Sequence, residues 1–320
     1  MSFDYQSRDV MTSVARMYYL DRLGQSEIAS VYGISRSTVS RMLTAARELG
    51  VVRISVDEFE PRDRDLETRL RDRLGLRNAI VIRTIETSPT SVRRAVGYFA
   101  APYVAEWISS HRLIGVAGGR TLAELVYHIV PRDHSSGPLF TQVLGTIGSS
   151  PGRIDASEQS RALAKKFHGE FRTLDLPAYA QNQHVRDLFL SHIEIQRVWR
   201  TFGSIDLAFV GLGTIETSGF LERCIRDPLD VAEIRAAGAV GEICGRFFDK
   251  DGHECSTSSR DRVIGIELDV LRTCPDVVAV MSGPSRGQAM QAAVRGGIVK
   301  SVVVDQAGAQ SILDADQTLR

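Results

Sequence analysis

A chain of 320 residues, 43% of them hydrophobic, is long enough for two domains and apolar enough for a sizeable core, which excludes a disordered protein. Its 39 basic and 39 acidic residues give a formal charge of zero, so any DNA-binding surface must be local. The four cysteines form no Cys-x-x-Cys pair, and no apolar run is long enough for a membrane span. We therefore expect a cytoplasmic protein without a metal or cofactor.

The first fifty residues carry the pattern of a helix-turn-helix. Apolar residues at helical spacing predict a first helix over residues 9–23 and a second over residues 26–31. A third helix begins at Ser35, whose hydroxyl can accept a backbone N–H at the N-cap position. Two helices that pack steeply need a small contact residue and a turn residue able to take a positive φ, and Ala29 and Gly33 meet these needs.

The third helix is predicted to present a polar face to DNA. Burial of Val39, Met42 and Leu43 leaves short polar and arginine side chains on the opposite face, and these types contact base edges and phosphates in a major groove. The alternating run over residues 51–56 predicts a strand that would make the module winged, with Arg53 facing a phosphate. An ordinary helical hairpin with a solvated polar face is the alternative. The candidate DNA-binding residues are Ser35, Arg36, Ser37, Ser40, Arg41 and Arg53.

Residues 57–77 are dense in charges of both signs, with leucines spaced four residues apart. This pattern predicts an amphipathic linker helix. The helix would join an N-terminal DNA-binding domain, residues 1–56, to a larger domain, residues 78–320. It would either lie on its own domain or contact another subunit, and the sequence leaves both alternatives open.

Strand-like runs alternate with helices from residue 78 onward. Most of the runs are continuously apolar, which is typical of strands covered on both faces. The repeated order of strand, helix and strand predicts an α/β domain with a doubly wound, mostly parallel sheet. The predicted strands are residues 79–82, 113–117, 141–144, 207–210, 263–266, 277–281 and 301–304.

Glycine-containing loops follow four of these strands and predict a ligand site. Ligands of doubly wound sheets bind outside the carboxyl ends of the strands, where glycine lets backbone N–H groups approach an anion. Each loop alone could be no more than a tight turn, but together they would surround one crevice. The loops are residues 118–121, 145–148, 211–214 and 282–286.

In combination with the helix-turn-helix and these loops, the segments 237–252 (AGAVGEICGRFFDKDG), 262–268 and 279–305 resemble the SorC family of bacterial sugar-responsive regulators. The resemblance extends over essentially the whole chain. It implies an effector domain similar in fold to phosphosugar isomerases and deaminases. It also implies a double-stranded DNA operator, an effector that is a sugar, polyol or sugar phosphate, and a homodimer or homotetramer.

Matching to the family's motifs implies which residues form the effector site. Arg286 stands where the family commonly has lysine, which keeps the positive charge, whereas Gly118 stands where the family usually has tryptophan. The second departure leaves the identity of the sugar open. Asp305 could bond sugar hydroxyls or cap a helix. The implied effector-binding residues are Gly119, Arg120, Thr121, Gly145, Thr146, Gly211, Gly213, Thr214, Arg286 and Asp305.

An enzyme with the same fold is the main alternative to a regulator. Isomerase or deaminase chemistry needs a general base beside the sugar. The related deaminases place an acid and a histidine after a loop equivalent to residues 211–213. Here residues 214–219 contain no histidine, and Glu216 is the sole candidate base. We therefore expect no catalysis and no catalytic residues. An architectural DNA binder without an effector would leave the large domain unexplained.

Overall fold

The chain divides into two structural units, Met1–Phe59 and Glu60–Arg320. Each unit has its own apolar core. The computed structural model describes residues 7–55, 59–85, 87–131, 137–148 and 152–315. Within these ranges, no helix combines the length and the apolar character that a membrane crossing requires.

The first unit contains the helices α1 (Arg8–Tyr19), α2 (Gln25–Tyr32) and α3 (Arg36–Glu48). Gly33 follows α2 in the left-handed conformation, with a φ of 64° that favours glycine. The Ser35 hydroxyl caps α3 by accepting a hydrogen bond from the backbone N–H of Thr38 at 3.1 Å. The predicted turn and cap of the helix-turn-helix are therefore present, although α1 ends at Tyr19 rather than at residue 23.

The segment after α3 packs back on the helices and forms no strand over residues 51–55. Gly50 has a left-handed φ of 70°, and the backbone N–H of Val52 donates to the carbonyl oxygen of Ala46 at 2.9 Å. The two valines of this segment then pack against the core of the first unit. The predicted strand and wing are wrong for these residues, because the valines extend the helical core instead of pairing in a sheet. Residue 56 lies outside the described residues.

The described part of the second unit contains the strands β1 (Asn78–Ile82), β2 (Leu113–Val116), β3 (Leu139–Gln142), β4 (Glu170–Arg172), β5 (Leu207–Val210), β6 (Gly241–Ile243), β7 (Arg246–Phe248), β8 (Asp276–Val280) and β9 (Ser301–Asp305). Seven strands form a parallel sheet in the order β1-β9-β8-β5-β2-β3-β4. Strands β6 and β7 form a separate antiparallel hairpin. The predicted α/β class with a doubly wound, parallel sheet is confirmed.

The described part of the second unit also contains the helices α4 (Arg64–Leu74), α5 (Pro89–Ser109), α6 (Arg120–His128), α7 (Ala156–Phe167), α8 (Gln183–Ser191), α9 (Ile193–Trp199), α10 (Gly219–Cys224), α11 (Pro228–Ala236), α12 (Leu268–Thr273), α13 (Gly287–Arg295) and α14 (Gln306–Ala315). Helices α5, α6 and α7 pack on one face of the parallel sheet, whereas α4, α12, α13 and α14 pack on the other. Successive side chains of a strand point to opposite faces, so Ile80 and Ile82 join the first layer and Val81 the second. All three side chains are buried, as a sheet covered on both sides requires.

Residues 263–266, which were predicted as a strand, do not join the sheet. Val263 and Gly265 make isolated antiparallel bridges to Tyr179 and Leu144, respectively. The segment is buried, so its apolar run reflects burial between loops rather than pairing in the main sheet. That prediction is wrong because continuous burial and strand pairing leave the same signature in a short segment.

Three other differences have similarly local causes. Strand β3 covers Leu139–Gln142 instead of residues 141–144. Strand β4 was not predicted, and its three residues are all exposed, so it lacks an apolar run. The hairpin of β6 and β7 was also not predicted, since each strand is only three residues long.

Helix α4 lies on the sheet of the second unit. Its Leu70 is fully buried in the core of that unit. The Glu67 carboxylate accepts a hydrogen bond from Arg62 Nε at 2.6 Å and another from the backbone N–H of Val81 at 3.1 Å. The segment expected to link the domains therefore belongs to the second unit through both apolar and polar contacts, and a role in subunit contact stays a prediction.

Candidate functional site

Helix α3 presents a row of exposed polar and basic side chains. Arg36, Ser37, Ser40 and Arg41 are all exposed, while the intervening Val39 is fully buried. Within the described residues, Arg36 and Arg41 form neither an ion pair nor a hydrogen bond through their side chains. Their guanidinium groups are therefore available to an external partner.

Ser35 and two basic residues, Arg47 and Arg53, are also exposed in or near α3. The Ser35 hydroxyl contacts the hydroxyls of Ser37 and Thr38, at 2.7 and 2.9 Å, besides capping the helix. Arg53 is exposed in the segment after α3. Arg47 in the last turn of α3 is also exposed and was not singled out from the sequence. Its position seven residues after Ser40 was the available signal, because residues seven apart share a helix face.

The second unit contains a crevice of about 810 Å³ at the carboxyl ends of the sheet strands. All four predicted glycine-containing loops contribute to its wall, as do the loop after β1 and the end of β9. The ends of parallel strands meet at one edge of a sheet, which explains why loops distant in sequence converge there. Of the predicted effector-site residues, the lining contains Gly119, Arg120, Thr121, Gly145, Gly211, Gly213, Arg286 and Asp305.

Two predicted residues, Thr146 and Thr214, are not brought to the crevice wall. The backbone of Thr146 bonds to the segment 176–178 through its N–H and its carbonyl oxygen. Thr214 is held by Thr217, whose hydroxyl accepts the Thr214 backbone N–H at 3.0 Å. Both threonines therefore stabilise the loops that carry the crevice residues.

Four arginines line the crevice, and three of them, Arg93, Arg120 and Arg286, act on one another electrostatically. Burial lowers the pKa of Arg286, and the guanidinium groups of Arg120 and Arg93 lower it further. Burial and the proximity of Arg120 likewise lower the pKa of Arg93. Because arginine stays protonated in proteins, mutual repulsion of this kind creates a field that favours a bound anion.

Arg93 was missed by the sequence reasoning. It lies in the first turns of α5, after the loop that follows β1. That loop contains no glycine, so the pattern used to find the other four loops did not select it.

Four acidic side chains also line the crevice, and three of them, Asp155, Glu242 and Asp305, accept hydrogen bonds from the backbone. Both carboxylate oxygens of Asp305 accept backbone N–H groups, from Gly283 at 2.6 Å and from Gly308 at 3.3 Å. Asp305 therefore caps α14 and holds the loop before α13, which favours the capping alternative.

Glu242 on β6 is a buried crevice residue that the sequence reasoning missed. It accepts a hydrogen bond from the Ser218 hydroxyl at 2.8 Å and from the backbone N–H of Gly245 at 2.6 Å. Burial raises the pKa of this carboxyl group despite those two bonds. The segment 237–252 was recognised only as part of a family pattern, so nothing in it pointed to this residue in particular.

Glu216, the sole base predicted for an enzyme, is exposed outside the crevice wall. It pairs with Arg235 at 3.2 Å. Backbone hydrogen bonding and the contact with Arg235 lower its pKa. A general base acts best with a pKa near the operating pH, so a solvated and stabilised carboxylate suits this role poorly.

Comparison with known proteins decides the family. A family model described as "Putative sugar-binding domain" matches residues 61–314. The chain belongs to this family of sugar-binding domains. The matched range covers the parallel sheet and every loop of the crevice.

Relatives that match almost the whole chain are named as transcriptional regulators. The "Deoxyribonucleoside regulator" of Bacillus subtilis (strain 168) is 28% identical over 312 residues, covering 97% of this chain and 99% of the relative. The "Sorbitol operon regulator" of Klebsiella pneumoniae is 24% identical, covering 95% and 97%. The predicted class, a sugar-responsive transcriptional regulator of the SorC family, is confirmed.

Solved structures show the same fold. The full-length sorbitol operon regulator SorC from Klebsiella pneumoniae superimposes with a TM-score of 0.76 at 23% identity, covering 98% of this chain and 100% of that one. A DeoR family transcriptional regulator from Listeria monocytogenes gives a TM-score of 0.71 at 25% identity, covering 78% and 98%. The architecture thus agrees over both units with SorC.

Proposed function

We propose that α3 contacts a double-stranded DNA operator and that the crevice binds a sugar phosphate, or a related sugar or polyol, which changes operator affinity. The observation that carries this proposal is the crevice itself. It combines a cluster of arginines with glycine loops at the strand ends, in a chain that also carries a complete helix-turn-helix. A ligand regulates DNA binding when it binds one arrangement of the protein better than another.

The charge and shape of the crevice support a phosphorylated ligand. Backbone N–H groups of glycine loops and guanidinium forks are the usual partners of phosphate oxygens. The relatives' names refer to a deoxyribonucleoside and to sorbitol, which contain a pentose and a hexitol, respectively. A volume of about 810 Å³ leaves room for a sugar or polyol of that size.

An oligomer is the arrangement that best explains DNA binding. Residues 1–56 contain seven arginines and five acids, so the module has a net charge of only about +2. Such a module binds one half-site weakly, because phosphate neutralisation supplies most of the affinity for DNA. We infer a homodimer or homotetramer whose paired modules act together on a cytoplasmic DNA target.

We infer that the crevice senses its ligand without transforming it. Glu216 is solvated, and both oxygens of Glu242 are occupied by the protein's own donors. Incubation of the protein with pentose and hexose phosphates should therefore leave them unchanged. Turnover that disappears with Glu242→Gln would instead establish an enzyme.

Thermal shift measurements test the ligand proposal directly. The purified protein is screened with inorganic phosphate and with sugars and polyols in free and phosphorylated forms. We expect phosphorylated compounds to raise the melting temperature of the native protein and of the control Arg197→Ala, whose side chain pairs with Glu194 on exposed α9. Arg286→Ala should lose the shift. No shift with any compound would contradict the sensor half of the proposal.

A further inference from the structure

Asp155 ends the connection between β3 and α7 and lines the crevice. The residue is only 3% exposed. It was not among the residues expected to bind an effector, and neither arginine binding nor helix capping accounts for it. An acidic group buried this deeply normally has its oxygens paired.

One oxygen of this carboxylate is paired and the other is not. Oδ2 accepts a hydrogen bond from the backbone N–H of Gly152 at 2.5 Å. Oδ1 is buried and has no hydrogen-bond partner in the part of the chain that the structure describes. An ionised carboxylate can only accept hydrogen bonds, so Oδ1 requires a donor from elsewhere.

The helix that follows does not explain this acid. Asp155 occupies the N-cap position of α7, but its side chain accepts no hydrogen bond from the helix. At the corresponding positions of α4 and α10, Asp63 and Ser218 accept backbone N–H groups at 3.1 and 3.0 Å. A residue present only to cap α7 would be expected to do the same.

The backbone around Asp155 is fixed against the loop after β2. The N–H of Gly119 donates to the carbonyl oxygen of Ile154 at 2.8 Å, and the Gln159 side chain donates to the carbonyl oxygen of Gly119 at 2.9 Å. A Cβ at Gly118 would lie 2.7 Å from the backbone nitrogen of Ala156. The carboxylate is thus held in place beside the crevice before any ligand arrives.

The electrostatic surroundings of Asp155 differ from those of the arginines. Arg93, Arg120 and Arg286 act on one another, and the acid that acts on Arg286 is Asp305. Asp155 instead acts together with Glu242 on Cys224, whose pKa is raised to about 11 mainly by burial, and Arg223 on the crevice wall opposes these acids. The crevice therefore contains buried carboxylates as well as the arginine cluster. The carboxylate of Asp155 suits a hydroxyl of the ligand, and the arginines suit a phosphate.

We propose that Asp155 Oδ1 accepts a hydrogen bond from a hydroxyl of the bound sugar or polyol, and that it makes the crevice select monophosphates over bisphosphates. The inference rests on the proposed function and specifies its ligand. A hydroxyl supplies the donor that Oδ1 lacks, while a second phosphate at the same place would meet a buried negative charge. The arginine cluster remains the place for a single phosphate.

The test compares Asp155→Asn with native protein by isothermal titration calorimetry. Probes are inorganic phosphate, ribose 5-phosphate, glucose 6-phosphate, sorbitol 6-phosphate and fructose 1,6-bisphosphate. The isosteric amide keeps an oxygen for Gly152 and places a donor at the unpaired position. Asp227→Asn is the control, because Asp227 caps α11 at an exposed position outside the crevice.

We expect at least one sugar or polyol monophosphate to bind native protein about tenfold more tightly than inorganic phosphate. Asp155→Asn should reduce that advantage to about twofold or less, while inorganic phosphate binds as before and the bisphosphate gains. The melting temperature of ligand-free Asp155→Asn should equal or exceed that of the native protein, since a buried unpaired charge has been removed. Asp227→Asn should leave all affinities unchanged.

Retained preference for sugar monophosphates in Asp155→Asn would overturn the role of Asp155 and leave the sensor function standing. A large fall in melting temperature with unchanged affinities would assign the residue to the structure of the loop. Binding of inorganic phosphate with no preference for any monophosphate would also refute the hydroxyl contact. If native protein bound none of the probes, including inorganic phosphate, the anion site of the proposed function would fail as well.

Discussion

The guanidinium group of Arg286 donates a hydrogen bond from Nε to the carbonyl oxygen of Leu212 at 2.8 Å. A second bond from Nη1 reaches the carbonyl oxygen of Ser282 at 2.7 Å. One side chain thus joins the loop after β8 to the loop after β5 while it faces the crevice. An anion bound to this arginine would act on two loops at once, because both are hydrogen-bonded to the same group.

Arg286→Ala should therefore weaken binding of inorganic phosphate about 10- to 100-fold, since a charged hydrogen bond contributes about 1.5–3 kcal/mol. Arg286→Lys should weaken it less, because the charge remains while the planar fork that reaches two carbonyls is lost. Isothermal titration calorimetry measures both effects. Equal affinity in all three proteins would remove Arg286 from the anion site.

Arg41→Ala should weaken operator binding by about 1–3 kcal/mol if its side chain contacts a base. Effector binding should stay unchanged, since Arg41 lies in the first unit. Fluorescence anisotropy with labelled DNA from upstream of the protein's own gene measures the effect. Arg197→Ala serves as the control for a lost exposed arginine. An unchanged salt dependence would exclude a phosphate contact, and an unchanged affinity would exclude Arg41 from the interface.

Glu67→Ala should lower the free energy of unfolding by about 3–5 kcal/mol, because it leaves Arg62 without its buried partner. The side chains of Arg62 and Glu67 are 14% and 4% exposed. Glu60→Ala is the matched control, since its pair with Arg64 at 3.1 Å is exposed and such pairs contribute about 0–1 kcal/mol. Urea denaturation monitored by circular dichroism distinguishes the two variants. Equal losses would show that burial does not decide the strength of these pairs.

Glu242→Gln should change how stability depends on pH. Burial raises the pKa of Glu242 in the folded protein above the 4.5 of the free side chain, so folding favours the protonated form. Its contribution to stability is fully present below pH 4.5 and is lost as the pH rises through the folded pKa. The glutamine variant should not show this loss, and its melting temperature should exceed that of native protein increasingly toward neutral pH. If the melting temperatures of the two ligand-free proteins changed in parallel with pH, the prediction would be contradicted.

The sequence predicted those parts of the fold that depend on local chemistry. The positive φ at Gly33 and the cap at Ser35 follow from residue types, so the helix-turn-helix was correctly placed. Strand β5 matched residues 207–210 because it is a continuous apolar run in the centre of the sheet. The valines after α3 and the segment 263–266 misled the prediction, since burial against a core produces the same pattern as pairing in a strand.

The glycine loops of the crevice could be predicted because their position after strands fixes where they meet. Arg93, Asp155 and Glu242 could not, because each reaches the crevice from an element that the glycine pattern does not mark. The charge of a ligand site depends on which side chains the completed fold brings together. A pattern along the chain does not contain that information.

The close approach of Gly118 to the start of α7 restricts how effector preference can change. A Cβ at Gly118 would overlap the backbone nitrogen of Ala156 at 2.7 Å, so the tryptophan common in the family cannot be introduced unless α7 shifts. Engineering a biosensor for another sugar by exchanging the loop alone should therefore yield misfolded protein. To change the effector preference, the whole segment from Gly118 to the beginning of α7 would have to be exchanged at once.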